Sequence, residues 1–296
     1  MVFLVVLASA AVAGAWPAAA FAATQPSLGT ALNYAVLAGS AITNTGSSVI
    51  TGNLGLSPNT ASSVTGFPPG NVTGTQDAAD ANSLQAQNDL VTGYTDAANS
   101  PSTSSLTGQD LGGQNLTPGV YSFSTSAQLT GTLTLTGNGI YIFQIGSTLT
   151  TASNSSVALL GGAQACAVYW QVGSSATLGT GTEFQGNLMA LTSITMVTGA
   201  NLTGRALAQT GALTLDDNDI TPPSGPCNVD AASTSAPASA SAAAGSGTTA
   251  GPGLTDASTP DTGAAVPDPL LLPGLLLLIA GGGLIAAEIR RGYRAR

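Results

Sequence analysis

"STLTTASNSSV" (residues 147–157), "ATLGTGTEF" (176–184) and "ITMVTGANL" (194–202) are three versions of one phrase. Each carries an aliphatic residue two or more places before a threonine and a small residue just after it. Aligned on Thr151, Thr180 and Thr198, the phrases are 180 − 151 = 29 and 198 − 180 = 18 residues apart. Short runs of period-two alternation surround them: VYSFS (120–124), TLTLTG (132–137), IYIFQIG (140–146), VYWQVG (168–173) and ALTL (212–215). Alternation of this kind marks strands with one face in a core, and Gly, Asn and Ser punctuate them as corners. Unequal spacing with matching faces predicts a mostly-β fold, an irregular β-helix in which each coil stacks on the next. A β-sandwich is the alternative that the same strands allow. The self-similar phrases and Gly-rich corners favour the solenoid.

One segment breaks the pattern. From Asp77 to Ala98 there is no proline and a single glycine, and Ala, Gln, Leu and Asp dominate. The composition predicts a helix over about 77–98. Thr75 is the expected N-cap, Asp77 and Asp80 suit the positive end of the helix dipole, and Pro101 follows the end. Ala81, Leu84, Val91, Tyr94 and Ala98 share one face at helical spacing. That face is expected to pack on the protein's own strands, the alternative being a partner.

The chain ends describe a surface protein. Residues 1–22 are apolar and alanine-rich and close on Ala20-Phe21-Ala22, the small-x-small pattern of a signal-peptidase site. No basic residue precedes the apolar run, so a retained membrane helix is the other reading. Residues 266–287 are almost wholly Leu, Ile, Ala, Gly and Pro, just long enough to cross a bilayer as a helix. Arg290, Arg291, Arg294 and Arg296 follow in the tail 288–296, as the positive-inside rule expects of a cytoplasmic end. Residues 228–258 are mostly Ala, Ser, Thr, Gly and Pro, too poor in large apolar side chains to fold, and read as a tether. Just before the apolar span, Thr259-Pro260-Asp261-Thr262-Gly263 resembles a Gram-positive sorting signal of the LPxTG type, with Thr259 in place of leucine. The resemblance implies that a sortase cuts between Thr262 and Gly263 and joins Thr262 to peptidoglycan. Without it, the segment is a single-span anchor. Either way the body of the protein lies outside the cell.

That body, residues 27–227, is long enough to bury a sizeable core. It holds nine carboxylates against one cation, Arg205, and the whole chain has no histidine and a net charge of −9. Nucleic acid and anionic lipid would both be repelled. A carbohydrate-cleaving β-helix would need acids set among basic groups or bound Ca²⁺, and one arginine cannot supply that. Asp216–Asp219 carries three acids and reads as a solvated turn, with weak Ca²⁺ binding as the alternative. Cys166 and Cys227 stand in an exported domain, where pairing into a disulfide is the default. No metal or cofactor is expected, no enzymatic activity, and the protein is expected to act as a monomer.

Several blocks then match one known family in order: LGTALNYAVLAGSAITNTGSSVITGNLGLSP (28–58), TGFPPG (65–70), LTPGVYSFSTSAQLTGTLTL (116–135), IYIFQIGSTLTTAS (140–153), ACAVYWQVGSSATLGTGT (165–182) and GRALA (204–208). Together they resemble the bacterial and fungal ice-binding proteins, over the whole of 27–227. The resemblance implies a discontinuous right-handed β-helix of triangular cross-section with a long helix alongside and the first and last coils adjacent. It implies ice, or ordered water, as the partner. A surface adhesin or scaffold using the fold without ice activity is the rival from a different class. The family's ice-facing pattern, T-A/G-x-T/N, is met at Thr151-Ala152-Ser153-Asn154 and Thr198-Gly199-Ala200-Asn201, and at Thr180-Gly181-Thr182-Glu183 up to its last place. Thr151, Ser153, Asn154, Thr180, Thr182, Thr198, Ala200 and Asn201 are therefore expected on one exposed, flat face. Thr-Gly-x-Asn is also an ordinary turn sequence.

Overall fold

The structure, a computed structural model, describes residues 23–225 and 227–229. The expected leader, the tether from residue 230 on, the sorting pentapeptide, the apolar span and the basic tail lie outside the described residues.

The strands wind as a parallel solenoid with three sides. The first side is a seven-stranded sheet of Ala127–Leu129, Leu149–Thr151, Ala176–Leu178, Ile194–Met196, Ala212–Asp216, Ala41–Thr45 and Val64–Thr65, in that spatial order. A fifteen-stranded sheet makes the other two. Thr132–Thr136, Ser156–Leu160, Asp219–Thr221 and Val49–Ile50 lie on the second side. Gly119–Phe123, Tyr141–Ile145, Val168–Val172, Tyr34–Ala38 and Asn53–Leu56 lie on the third. Glu183–Ala190 and Asn201–Ala208 run through the corner between these two sides. Gly186 and Gly204 stack there, and a Cβ on Gly204 would sit 1.8 Å from the Gly186 carbonyl oxygen. Only glycine lets two backbones turn so close together.

Stacking order departs from chain order. The chain makes its first coils from Tyr34 to Ala78, crosses as the helix Ala81–Asn99, and winds back from Ser104 to Thr221. Tyr34–Ala38 consequently pairs with Asn201–Ala208 on one side and Asn53–Leu56 on the other. Ala41–Thr45 lies between Ala212–Asp216 and Val64–Thr65. First and last coils are adjacent, as the resemblance implied.

Inward positions fill the barrel with aliphatic and aromatic side chains. Tyr121, Phe143, Trp170 and Phe184 form a column with ring centroids 5.5, 4.0 and 4.7 Å apart, one ring per coil. Val64, Phe67 and Val72 close one end of the core, and Leu106, Leu111 and Leu116 the other.

A second apolar cluster lies under the helix, on the third side. The helix starts later than expected, at Ala81, and Asp80 rather than Thr75 caps it: Ser83 N donates to Asp80 Oδ1 at 2.8 Å and Asp80 N donates to Ser83 Oγ at 3.3 Å. Its buried residues are Ser83, Ala86, Gln87, Leu90, Gly93 and Ala97. The expected face is wrong: Leu84 and Val91 are 52% and 49% exposed, Ala81 and Ala98 are exposed, and Tyr94 alone of the five is partly covered. The cause lies in the sheet. Val120, Ile142, Tyr169, Met189 and Leu207 supply the bulk, so the helix approaches with its small residues. A Cβ on Gly93 would fall 2.7 Å from Leu28 Cδ2. Amides hold it in place: Gln171 Nε2 donates to Tyr94 Oη (2.7 Å), Tyr94 Oη to Val172 O (3.1 Å), and Gln144 Nε2 to the helix-end carbonyls of Ala97 (2.8 Å) and Ser100 (2.6 Å).

Cys166 and Cys227 form the expected disulfide, with Cα atoms 5.7 Å apart. Arg205 is buried and bonds carbonyls rather than a carboxylate: Nε donates to Leu32 O at 3.0 Å and Nη1 to Asn187 Oδ1 at 3.1 Å. It ties the N-terminal segment to a late coil.

Candidate functional site

Six strands of the seven-stranded sheet have the order inward, outward, inward. Leu149, Ala176, Ile194, Leu213 and Ile42 point into the core, and so do Thr151, Leu178, Met196, Leu215 and Asn44. The residue between each pair must therefore face out. Those residues are Thr150, Thr177, Thr195, Thr214 and Thr43, and Thr65 continues them on the last strand. They stand directly opposite one another across the ladder: Thr150 with Thr177, Thr177 with Thr195, Thr195 with Thr214, Thr214 with Thr43, Thr43 with Thr65. Gln128, opposite Thr150, ends the row.

Two places upstream on each strand runs a second row of small side chains: Ser126, Thr148, Ser175, Ser193, Ala212, Ala41 and Ser63. Their hydroxyls bind coil to coil. Thr148 Oγ1 donates to Ser126 Oγ (2.8 Å), Ser193 N to Ser175 Oγ (3.3 Å) and Ala212 N to Ser193 Oγ (3.2 Å). Neither row contains a charge. The helix packs on the third side, so among the described residues nothing covers these rows. Parallel strands repeat at about 4.8 Å and alternate side chains along a strand at about 6.7 Å, so the two rows form a grid of those spacings.

The expected site residues lie elsewhere. Thr151 and Thr182 are 3% and 0% exposed and face each other inside the corner, Oγ1 to Oγ1 at 2.8 Å. Ala200 is also fully buried. Ser153, Thr180 and Thr198 are exposed at the corner beside the sheet, in register through Asn154 N to Thr180 O (2.8 Å) and Gly181 N to Thr198 O (3.1 Å). Asn154, Gly181 and Gly199 adopt left-handed φ of 58°, 65° and 68°, which turns the chain there. Asn201 lies on the second side, its amide donating to Glu183 Oε1 at 2.9 Å. The eight residues do not share one flat face. The alignment behind them slipped by two residues at its first phrase, since the strand register is 177 − 150 = 27 residues rather than 29. The Thr-Gly-x-Asn phrases are corners, as the turn reading of that sequence allows. What marks the flat face is the tripeptide with threonine in the middle: LTT (149–151), ATL (176–178), ITM (194–196), LTL (213–215) and ITN (42–44).

Asp216 and Asp217 hold the same corner together. Asp216 Oδ2 accepts from Thr198 Oγ1, and Asp217 Oδ1 accepts from Ser47 N. A polar cleft of about 480 Å³ between the helix start and the third side is lined by Thr30, Asn53, Asp77 and Gln85 among others. Its carboxylate is already engaged: Tyr34 Oη donates to Asp77 Oδ2 at 2.7 Å. Burial, with that bond, pushes the Tyr34 phenol well above its ordinary range.

A sequence profile described as Ice-binding-like matches residues 36–221. A curated relative from Nostoc sp. (strain HG1), named ice-binding protein, is 58% identical over 204 residues, covering 67% of this chain and 75% of the relative. An ice-binding protein of Flavobacterium frigoris (strain PS1) is 36% identical over 211 residues, covering 66% of this chain and 76% of the relative. Among solved structures, an ice binding protein from an Antarctic biological consortium aligns with a TM-score of 0.67 at 45% identity, covering 71% of this chain and 97% of that one.

Proposed function

The chain belongs to the Ice-binding-like family, and from that premise we propose that it adsorbs to ice through its seven-stranded sheet. The observation that carries this is the unbroken register of Thr150, Thr177, Thr195, Thr214, Thr43 and Thr65. β-Branched side chains are stiff at χ1, so the grid is preformed and little entropy is lost on contact. Each methyl excludes disordered water while each hydroxyl holds an ordered one. A carboxylate or ammonium would hold its own hydration shell instead, and the two rows have none. The surface needs no reactive group because its ligand is ordered water. Thr195→Tyr should abolish crystal shaping and recrystallisation inhibition, since a ring in the middle of the grid lifts several strands off the lattice. Thr180→Tyr, at the corner, should leave most of the activity. Both sites are at the surface, so stability should change by about 0.5 kcal/mol or less. Full activity in Thr195→Tyr would show that this sheet is not the ice-binding surface. A wild-type protein that leaves crystals round would favour the scaffold reading.

The same reading places the protein outside the cell, held by its C-terminal segment. The leader pattern of 1–22, the apolar run 266–287 and the basic tail support this, and Thr259–Gly263 supports attachment to the wall. Mass spectrometry of wall digests should find Thr262 joined to peptidoglycan and residues after Gly263 missing. Recovery of the intact C-terminus from membranes would reduce the anchor to a single transmembrane span.

A further inference from the structure

The polar cleft beside the helix start has walls that are fixed and a lining that is mostly unused. Tyr34 and Asn53 open strands of the third side, next to its corner with the second, so the cleft lies at the edge of the solenoid opposite the seven-stranded sheet. Asn53 ties the walls together: its Nδ2 donates to Asn33 O at 3.0 Å, and Thr75 N donates to its Oδ1 at 2.9 Å. On the helix, Gln85 Nε2 donates to Asp89 Oδ1 at 2.8 Å. The other oxygen of that carboxylate accepts from Thr30 N at 2.7 Å and Thr30 Oγ1 at 2.6 Å. These bonds leave several groups over. The side chains of Asn33 and Asn82 make no hydrogen bond among the described residues, and Gln85 Oε1 accepts none. Asp77 is engaged through Oδ2 alone, by Tyr34 and Thr75, and its Oδ1 has no partner among the described residues.

The volume of about 480 Å³ is of the size usual for a small-molecule site, but the apolar lining usual to such sites is missing. What the cleft presents instead is amide donors and acceptors with a single carboxylate. A hydroxyl both donates and accepts, so a ligand dense in hydroxyls meets each of these groups in either sense. Anions are disfavoured, because Asp77 lines the cleft, Asp89 stands behind it and the chain is acidic throughout. We infer that the cleft binds a neutral saccharide, with Asp77 Oδ1 accepting from ring hydroxyls and Asn33, Asn82 and Gln85 meeting the hydroxyls beside them. Tyr34 is buried and offers no ring for stacking, so one sugar is held weakly and a chain of sugars better. The saccharide is held and not cleaved, since glycoside hydrolysis ordinarily takes a pair of carboxylates and this lining has one. With the cleft and the threonine sheet on opposite edges, one molecule can hold a sugar polymer and still present its grid.

The test titrates the full chain, kept in a detergent without a sugar headgroup, with chitotriose, cellotriose and maltotriose in turn. At least one of these neutral trisaccharides should bind, and a sulfated trisaccharide should not. Asn82→Ala removes an exposed side chain that holds nothing in the protein, and should weaken that binding by about two- to tenfold. Asp77→Asn should weaken it by about tenfold or more. Asn82→Trp, which fills the cleft, should abolish it. Melting temperatures of the Asn82 variants should match wild type, which separates lost contact from lost fold. Ice shaping, whatever its strength in wild type, should be the same in every variant, so this result stands apart from the fate of the threonine sheet. Binding of none of the three trisaccharides overturns the proposal. So does binding that survives Asn82→Trp, which would put the sugar elsewhere on the protein. Binding abolished by EDTA overturns it too, because Asp77 would then be a cation ligand.

Discussion

Thr151 and Thr182 show what a hydroxyl does when the coil turns it inward. Their Oγ1 atoms lie 2.8 Å apart in a buried corner. Gly179 N donates to Thr151 Oγ1 at 2.9 Å, and Thr182 Oγ1 reaches Ala152 O at 3.3 Å. Ser155 Oγ donates to Leu129 O (2.9 Å), and Asn218 Nδ2 serves Val197 O (2.9 Å) and Ala200 O (2.8 Å) in neighbouring coils. Strand ladders break at a corner, and buried carbonyls and amides there must find side-chain partners. Thr182→Val keeps the shape and removes the partner. It should cost about 1–3 kcal/mol in denaturant unfolding while leaving ice uptake of the folded protein unchanged. Loss of uptake at full stability would return Thr182 to the binding surface. The same side chain thus has two roles, and the sequence separates them only by parity: a threonine between two inward residues faces out, and one that takes an inward place does not. Thr150 and Thr151 are adjacent and opposite. Reading the Thr-Gly phrase as the repeat hid that parity; reading the alternation would have found Thr177, Thr195 and Thr214.

The helix poses the converse problem. Its existence and approximate length follow from local composition, because Ala, Gln and Leu without proline suit no other element of this chain. Its buried face does not follow, because the partner's bulk is contributed by Val120, Ile142, Tyr169, Met189 and Leu207, far away in the chain. Amphipathicity alone chose the larger side chains, Leu84 and Val91. Leu90→Ala should therefore destabilise the protein by about 2–5 kcal/mol. Leu84→Ala and Val91→Ala should stay within about 0.5 kcal/mol of wild type. Chemical denaturation decides between these, and a large loss from Leu84→Ala would mean that its exposed side meets something in the intact chain.

At the scale of the molecule, the disulfide fixes the last described segment to the middle of the stack, closing a separation of 61 residues. A loop of that size corresponds to about 4 kcal/mol in the chain-entropy model. Reduction should lower the melting temperature without altering crystal shaping at low temperature, and an unchanged melting temperature would show that packing alone holds the segment. The solenoid was legible because each coil repeats one alternation, whereas its three-sided winding was implied only by the family resemblance. The placement of the first coils beside the last was not legible from periodicity, which has no term for distance along the chain; it came from resemblance. That placement has a kinetic consequence. Thr43 and Thr214 are neighbours, Oγ1 to Oγ1 at 3.4 Å, yet 171 residues separate them. During synthesis the earliest strands leave the ribosome with one edge unpaired, and that edge stays open until the final winding is made. Contacts this remote slow folding and lengthen the life of sticky intermediates. The threonine grid is thus completed last, although some of its strands are among the first the cell makes.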